Sequence, residues 1–122
     1  MTTIRNTPIS SDCLFCKIVG GTIPANRIYE DEVSIVFPDI NPQAPTHMLV
    51  VPKQHISSVA RAAAEDTALM GHLVAVAAEI ARTEKLDGGY RIVVNTGDDG
   101  GQTVNHLHMH LLGGRHMKWP PG

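Results

Sequence analysis

The chain has 122 residues, 43% of them apolar and only 4% aromatic, with a net charge of −2 and a pI near 6.4. That suits one domain with an aliphatic core, and it lacks the basic stripe by which a nucleic-acid partner is usually held. Apolar runs such as Met48 to Val51 and Leu73 to Ala78 fall short of the ~18 residues of a membrane span, and no basic-then-apolar leader opens the chain, so the expectation is a cytoplasmic protein without membrane contact.

Residues 1–11 are polar and read as a mobile tail; residues 12–122 read as a single domain. Asp12 is placed to cap a short helix from about Leu14 to Val19, which Gly20-Gly21 would end. Cys13-Leu14-Phe15-Cys16 overlaps its start. In a cytosolic setting a Cys-x-x-Cys pair is half of a metal site or a dithiol redox centre, and two buried small residues are the plain alternative. Nothing strand-like precedes Cys13, which weighs against the redox reading. Two thiolates cannot close a tetrahedral zinc site, so further ligands, histidine nitrogens being suitable, would have to come from elsewhere.

Ile28 to Glu30 reads as a short strand and Asp31-Glu32 as a hairpin turn. Val33 to Phe37, rich in β-branched and aromatic residues, reads as a buried strand. After a loop with two prolines, Thr46 to Val51 is a further strand, with His47 at its start and His55 just past its end. Asp66 to Lys85 is the one long helix, because Leu69, Leu73, Val76, Ala77 and Ile80 recur at helical spacing. His72 on that helix reads as a boundary residue without a role. Tyr90 to Asn95 is a strand. The loop Asp98-Asp99-Gly100-Gly101-Gln102-Thr103 follows, where paired glycines allow backbone amides to turn towards an anion. The last strand is expected from Thr103 to Leu112. The element order, strands in succession on either side of one helix, predicts an α+β fold with a mostly antiparallel sheet.

That last strand carries His106-Leu107-His108-Met109-His110. Alternation on a strand puts the three imidazoles on one face, second neighbours ~6–7 Å apart. Histidine lies between acid and base near neutral pH, so such a row can hold a metal, attack phosphorus or pass a proton.

With its surroundings, Gly-Gly-Gln-Thr-Val-Asn-His-Leu-His-Met-His-Leu-Leu resembles the signature of the histidine triad (HIT) superfamily. Tyr29-Glu30-Asp31-Glu32, Phe37-Pro38-Asp39-Ile40, Pro45-Thr46-His47, Val51-Pro52-Lys53-Gln54-His55 and the closing Trp119-Pro120-Pro121-Gly122 resemble its Hint branch. The resemblance implies a HIT-like fold, a five-stranded antiparallel sheet with one long and one short helix, continued across a homodimer. It implies hydrolysis of purine nucleoside phosphoramidates, such as adenosine 5′-phosphoramidate or AMP joined to lysine, through a nucleotidyl-histidine. His108 matches the nucleophile. His110 and the backbone amides around Gly101 and Thr103 match groups around the phosphoryl oxygens, the Thr103 hydroxyl one near the leaving group, and Gln102 a further nucleotide-binding residue. His47 matches a fourth histidine behind the nucleophile, which would orient it or relay protons. Asp39 matches the ribose-binding carboxylate, Asn95 a polar residue beside phosphate and ribose, and Ile28, Phe37 and Ile40 the walls of the base pocket. Trp119 matches a tail residue that reaches the neighbouring subunit's site.

A subset of the family carries an N-terminal Cys-x-x-Cys and binds zinc; its ligands match Cys13, Cys16, His55 and His106, a closed set that implies a structural ion. Two departures are visible: Thr103 stands where relatives often have Ser, and Asn105 where they often have an aromatic residue. Competing readings are a nucleotide-binding regulatory or scaffold protein with incidental turnover, a dinucleoside polyphosphate hydrolase as in the Fhit branch, and a protein that uses the triad itself as metal ligands. The Trp-Pro-Pro-Gly ending favours the Hint branch.

Overall fold

The computed structural model describes residues 12–122, so the expected tail at 1–11 lies outside the described residues. Helix α1 spans Leu14–Val19, followed by strands β1 (Tyr29–Glu30), β2 (Ser34–Pro38) and β3 (Thr46–Pro52). Two single-turn 3-10 segments lead into helix α2 (Thr67–Thr83), and β4 (Tyr90–Val93) and β5 (Met109–Gly113) close the chain. The five strands form one antiparallel sheet in the order β1-β2-β3-β5-β4, the α+β architecture expected from the sequence. No helix among the described residues is long and apolar enough to cross a membrane.

Strand alternation sorts the core into two layers. Val36, Val50, Met109 and Leu111 face α2 and pack with Leu73, Val76, Ala77 and Ile80. Ile35, Phe37, Leu49 and Val51 face the other way and pack with Phe15 and Ile18 of α1. The same alternation puts His47 on the α1 side, two residues before Leu49, and His110 beside it, because Leu49 pairs with His110 across the β3–β5 ladder. A one-residue slip of that register would turn one of the two histidines to the α2 face and separate the pair.

Three expectations change in the structure. Cys13, not Asp12, caps α1: its Sγ accepts the Cys16 N–H at 3.3 Å. The capping sulfur also lies 3.3 Å from His106 Nδ1. The last strand begins at Met109, not Thr103. Residues 103–108 follow the glycine loop outside the ladder, held by individual bonds such as Leu107 N–H to the Ile56 carbonyl at 2.7 Å. The third concerns His72. Its Nε2 lies 2.7 Å from Asp31 Oδ2, so it ties α2 to the β1–β2 turn.

Asp31 organises that turn. Its carboxylate accepts from the backbone N–H groups of Val33 and Ser34, the Ser34 hydroxyl, the Tyr29 hydroxyl and His72, all at 2.7–2.9 Å. Burial alone would raise its pKa; the donors outweigh it and hold the carboxyl well below the usual carboxylate range. A depressed pKa contributes stability above the unfolded value of about 3.9, and that stability is lost as pH falls through the folded value. Asp31→Asn should therefore destabilise the fold by about 1–3 kcal/mol at neutral pH. Urea denaturation should show the gap to the parent protein narrowing as pH drops below about 4. A gap independent of pH would show that the charge contributes nothing.

Candidate functional site

The α1 side of the sheet carries a cavity of about 520 Å³. Its floor and walls are mostly apolar: Leu14, Phe15, Ile18, Ile23, Pro24, Ala25, Phe37, Ile40 and Leu49. Asn26, Asp39, Thr103, His108 and His110 supply polar groups. Phe15 stands between the two chemistries, edge-on to the His108 ring at 5.0 Å and to the His106 ring at 5.9 Å. The three triad imidazoles thus share one side as alternation predicts, although only His110 sits on a regular strand.

Hydrogen bonds to groups that can only donate or only accept fix each ring's tautomer. A ring nitrogen of His108, Nδ1, lies 2.7 Å from the His106 carbonyl. A carbonyl only accepts, so Nδ1 carries the proton and Nε2 carries the lone pair. In the next pair the logic runs through the backbone of the proline loop. The Gln43 N–H donates to His47 Nδ1 at 3.0 Å, so the His47 proton sits on Nε2. That N–H faces His110 Nδ1 at 2.9 Å and Asp39 Oδ2 at 3.4 Å. His110 Nδ1 therefore accepts, and its own proton lies on Nε2. The site consequently offers one lone pair, at His108, and one N–H, at His110.

Burial lowers the pKa of all three rings. For His110, burial and the adjoining His108 and His47 push it down to about 4. For His108 and His47 burial wins over the opposing pull of Asp39, and at His108 also over the His106 carbonyl. The lone pair at His108 and the tautomers above are therefore those of uncharged rings.

His47 was expected behind His108; the structure places it against His110 instead, because β3 and β5 pair in the register that sets them diagonally adjacent. Asp39, His47 and His110 bring three potential ligand atoms together. A cation there would need a lone pair at His47 Nε2, the nitrogen that the Gln43 N–H forces to carry the proton. The cluster is thus a hydrogen-bond chain from backbone to His110.

The amides of the glycine loop bond within the loop itself. The Gly101 N–H donates to the Asp98 carbonyl and the Gln102 N–H to the Gly97 carbonyl, each at 3.0 Å. The buried Gln102 side chain accepts from Gly97 N–H and donates to the carbonyls of Ser57 and Val104. These amides brace the loop, with Gly101 at φ +84 and Gly100 too close to the Thr96 carbonyl for any Cβ. Thr103 is thereby delivered to the cavity. Ile28, Asn95, Gly101, Gln102 and Trp119 are not among the residues lining it, and Trp119 is 82% exposed. Asn26, which the sequence reading passed over, does line it; a polar residue in a turn carries no periodic signal.

Cys13, Cys16, His55 and His106 form a second cluster beside the first. Cys16 and His106 are fully buried. The His106 Nε2–H donates to the Pro52 carbonyl at 2.8 Å, so Nδ1 holds the lone pair. This is the outer-shell bond that orients a metal-binding imidazole. Burial, opposed by that bond, takes His106 to about 4. Its Nδ1 lies 3.3 Å from Cys13 Sγ, 3.5 Å from Cys16 Sγ and 3.2 Å from His55 Nδ1, and Cys16 Sγ to His55 Nδ1 is 3.2 Å. A tetrahedral ion with metal–nitrogen and metal–sulfur bonds of about 2.0 and 2.3 Å sets donor edges of about 3.3–3.8 Å. The observed edges of 3.2–3.5 Å lie at or just below the short end of that range, so four donors of suitable type surround a point where a metal ion could be held.

A model of the HIT domain matches residues 20–117. The chain belongs to the HIT family. It is 54% identical over 114 residues to an uncharacterised HIT-like protein of Synechococcus elongatus, spanning 93% of this chain and all of that protein. Among solved structures, a HIT family hydrolase from Legionella pneumophila superposes with a TM-score of 0.90 at 48% identity, covering 91% of this chain and all of that one. A histidine triad nucleotide-binding protein from Candida albicans superposes at 0.77 with 30% identity, covering 89% of this chain and 83% of that one. Within the HIT domain the triad is His106, His108 and His110, and the structure divides it: His106 faces the cysteines, while His108 and His110 face the cavity.

Proposed function

We propose that this HIT protein is a purine nucleoside phosphoramidate hydrolase that works through a nucleotidyl-His108 intermediate. The observation that carries the reading is the 2.7 Å bond from His108 Nδ1–H to the His106 carbonyl, which leaves Nε2 as an uncharged nucleophile at the polar end of an apolar cavity. The base would lie against Phe37, Ile18 and Ile23, with Ile40 at its rim, and the ribose hydroxyls would donate to Asp39. His110 Nε2–H would donate to a phosphoryl oxygen, with His47 holding its tautomer. Asn95 and Trp119 would take part only through loop movement or a second subunit.

The His108 lone pair bonds to phosphorus as the P–N bond breaks, and that bond's electron pair leaves with nitrogen. Nitrogen takes up one proton, passed from water through the Thr103 hydroxyl, and departs as the amine. Water then attacks phosphorus, the P–Nε2 pair returns to His108, and the proton that the attacking water loses replaces the one carried off by the amine, so the site ends as it began when the nucleoside monophosphate leaves. Neither half requires a metal at phosphorus. Zinc is the ion we propose for Cys13, Cys16, His55 and His106; with all four positions filled it would tie α1 to the loop after β3 and to the triad segment, a structural role.

A homodimer belongs to the same reading, supported by the position of β4 at the edge of the sheet and by the exposed Tyr90 and Trp119. The test is turnover of adenosine 5′-phosphoramidate beside diadenosine triphosphate, on protein whose mass is measured by light scattering. Release of AMP from the first substrate by a particle of two chains is the expected result. Preferential cleavage of the second would move the protein to dinucleoside polyphosphates. AMP binding without turnover of either would make it a nucleotide-binding regulator.

A further inference from the structure

The outward N–H of His110 depends on a chain of bonds that starts at a backbone amide. The Gln43 N–H donates to His47 Nδ1, and the His47 Nε2–H donates to His110 Nδ1. That amide lies in the loop of residues 39–45, between β2 and β3. The loop is braced on itself and on β3: the Asp39 N–H donates to the His47 carbonyl at 3.0 Å, the Asn41 N–H to Asp39 Oδ1 at 2.8 Å, and the Gln43 side-chain amide to the Asn41 carbonyl at 3.0 Å. The Gln43 carbonyl is held from the far end of the chain. Arg115 donates to it from both Nε and Nη2, at 3.2 and 3.1 Å, while Nη1 donates to the His116 carbonyl at 3.1 Å. Gly114, at φ +89, lies so close to the loop that a Cβ there would stand 2.8 Å from the Pro45 Cβ. The ladder that places His110 also places this clamp, because Leu49 pairs with His110 and Thr46 with Gly113.

We propose that Arg115 is a positioning residue: by holding Gln43 it keeps the Gln43 N–H on His47 Nδ1, and so keeps the proton on His47 Nε2 and the donor on His110. The role rests on the phosphoramidate reading, in which the His110 Nε2–H meets a phosphoryl oxygen; Arg115 itself touches neither substrate nor phosphorus. Freed from the Gln43 N–H, His47 Nδ1 takes a proton, as the other tautomer or as imidazolium. Among the described residues, the titratable groups facing His47 are Asp39, on the loop after β2, and His110, on β5, and the Asp39 carboxylate favours the added proton. In the other tautomer the His47 Nε2 lone pair faces His110 Nδ1. His110 must then carry its proton on Nδ1, and its Nε2 offers the phosphoryl oxygen a lone pair in place of a donor. Lysine lacks the fork that puts two donors on one carbonyl.

The experiment records ¹⁵N spectra of the histidine rings, with kcat and KM for adenosine 5′-phosphoramidate on the same proteins. In the natural sequence at neutral pH, His47 and His110 should each be protonated at Nε2 alone. Arg115→Ala should give a fraction of His47 protonated at Nδ1 that grows as pH falls. Its kcat should drop about threefold to tenfold with KM within about twofold, part of the cost of removing a donor to developing charge. Arg115→Lys should fall between. Gly114→Ala, which disturbs the loop through Pro45, should reproduce the spectral change. Arg91→Ala, which frees only the Lys118 carbonyl further along the same tail, should leave both rings as they were. In a His47→Phe background, Arg115→Ala should lower kcat no further. His47 spectra unchanged by Arg115→Ala, or a fall in kcat that persists in full without His47, would overturn the role. The spectra need no substrate, so absence of turnover by the natural sequence would remove the hydrolase reading while the rings still decided whether Arg115 sets the tautomer.

Discussion

His108→Ala should lower the rate of AMP release from adenosine 5′-phosphoramidate by at least about 10³-fold, while AMP still binds within a few-fold of its original affinity. The asymmetry follows from where the ring sits. The apolar cavity wall and Asp39 do not depend on His108, so ground-state binding survives. What is lost is the lone pair at Nε2, which no neighbour can replace: the His110 lone pair is occupied by the His47 N–H, and the His106 lone pair faces the cysteines. Rapid acid quenching of the parent protein during turnover should trap nucleotide on one histidine, and peptide mass analysis should locate it at His108. Undiminished turnover by His108→Ala, or nucleotide found on His110, would sink the assignment.

The second large effect is expected at the four-donor cluster. Purified protein should contain one zinc ion per chain, and Cys16→Ser should lose it. That variant should be less stable by about 3 kcal/mol or more, a fall of roughly 10 °C in melting temperature. Cys16 is fully buried, and its sulfur lies against the Nδ1 atoms of both His55 and His106, so the substitution removes the one thiolate that both rings share. Turnover should fall as well, because the carbonyl that sets the His108 tautomer belongs to His106 itself. Chelator-treated protein with an unchanged metal content of zero and an unchanged melting curve would remove the metal from the account. A melting shift without any change in turnover would show that His106 keeps its place without the metal, held by the bond from its ring Nε2–H to the Pro52 carbonyl.

Much of this was legible in the residues. Apolar spacing located α2 because a helix packed on one face must repeat its contacts every turn, and Leu73, Val76, Ala77 and Ile80 do so. Strands β2 and β3 were readable from short β-branched runs bounded by prolines and turns. The start of β5 was misread because alternation of His and apolar residues continues before the ladder begins; an alternating pattern records which side a residue faces, not whether its backbone is paired. Cys13 as helix cap and His72 as a tether to Asp31 were hidden for another reason: each depends on a partner 41 or more positions away, His106 for the first and Asp31 for the second.

The sequence by itself determined the family, the element order and the set of chemically able side chains: three alternating histidines, two cysteines, a fourth and fifth histidine, and an acidic residue. It left open which histidine does what. Tertiary structure decided that, because an uncharged imidazole has one proton and one lone pair, and neighbouring backbone groups choose between its two nitrogens. The Pro52 carbonyl turns the lone pair of His106 to the cysteines, the His106 carbonyl turns that of His108 away from its own backbone, and the Gln43 N–H acts through His47 on His110. Two of these three backbone groups reach their rings only through pairing or packing of distant segments, so no local pattern encodes the division of labour.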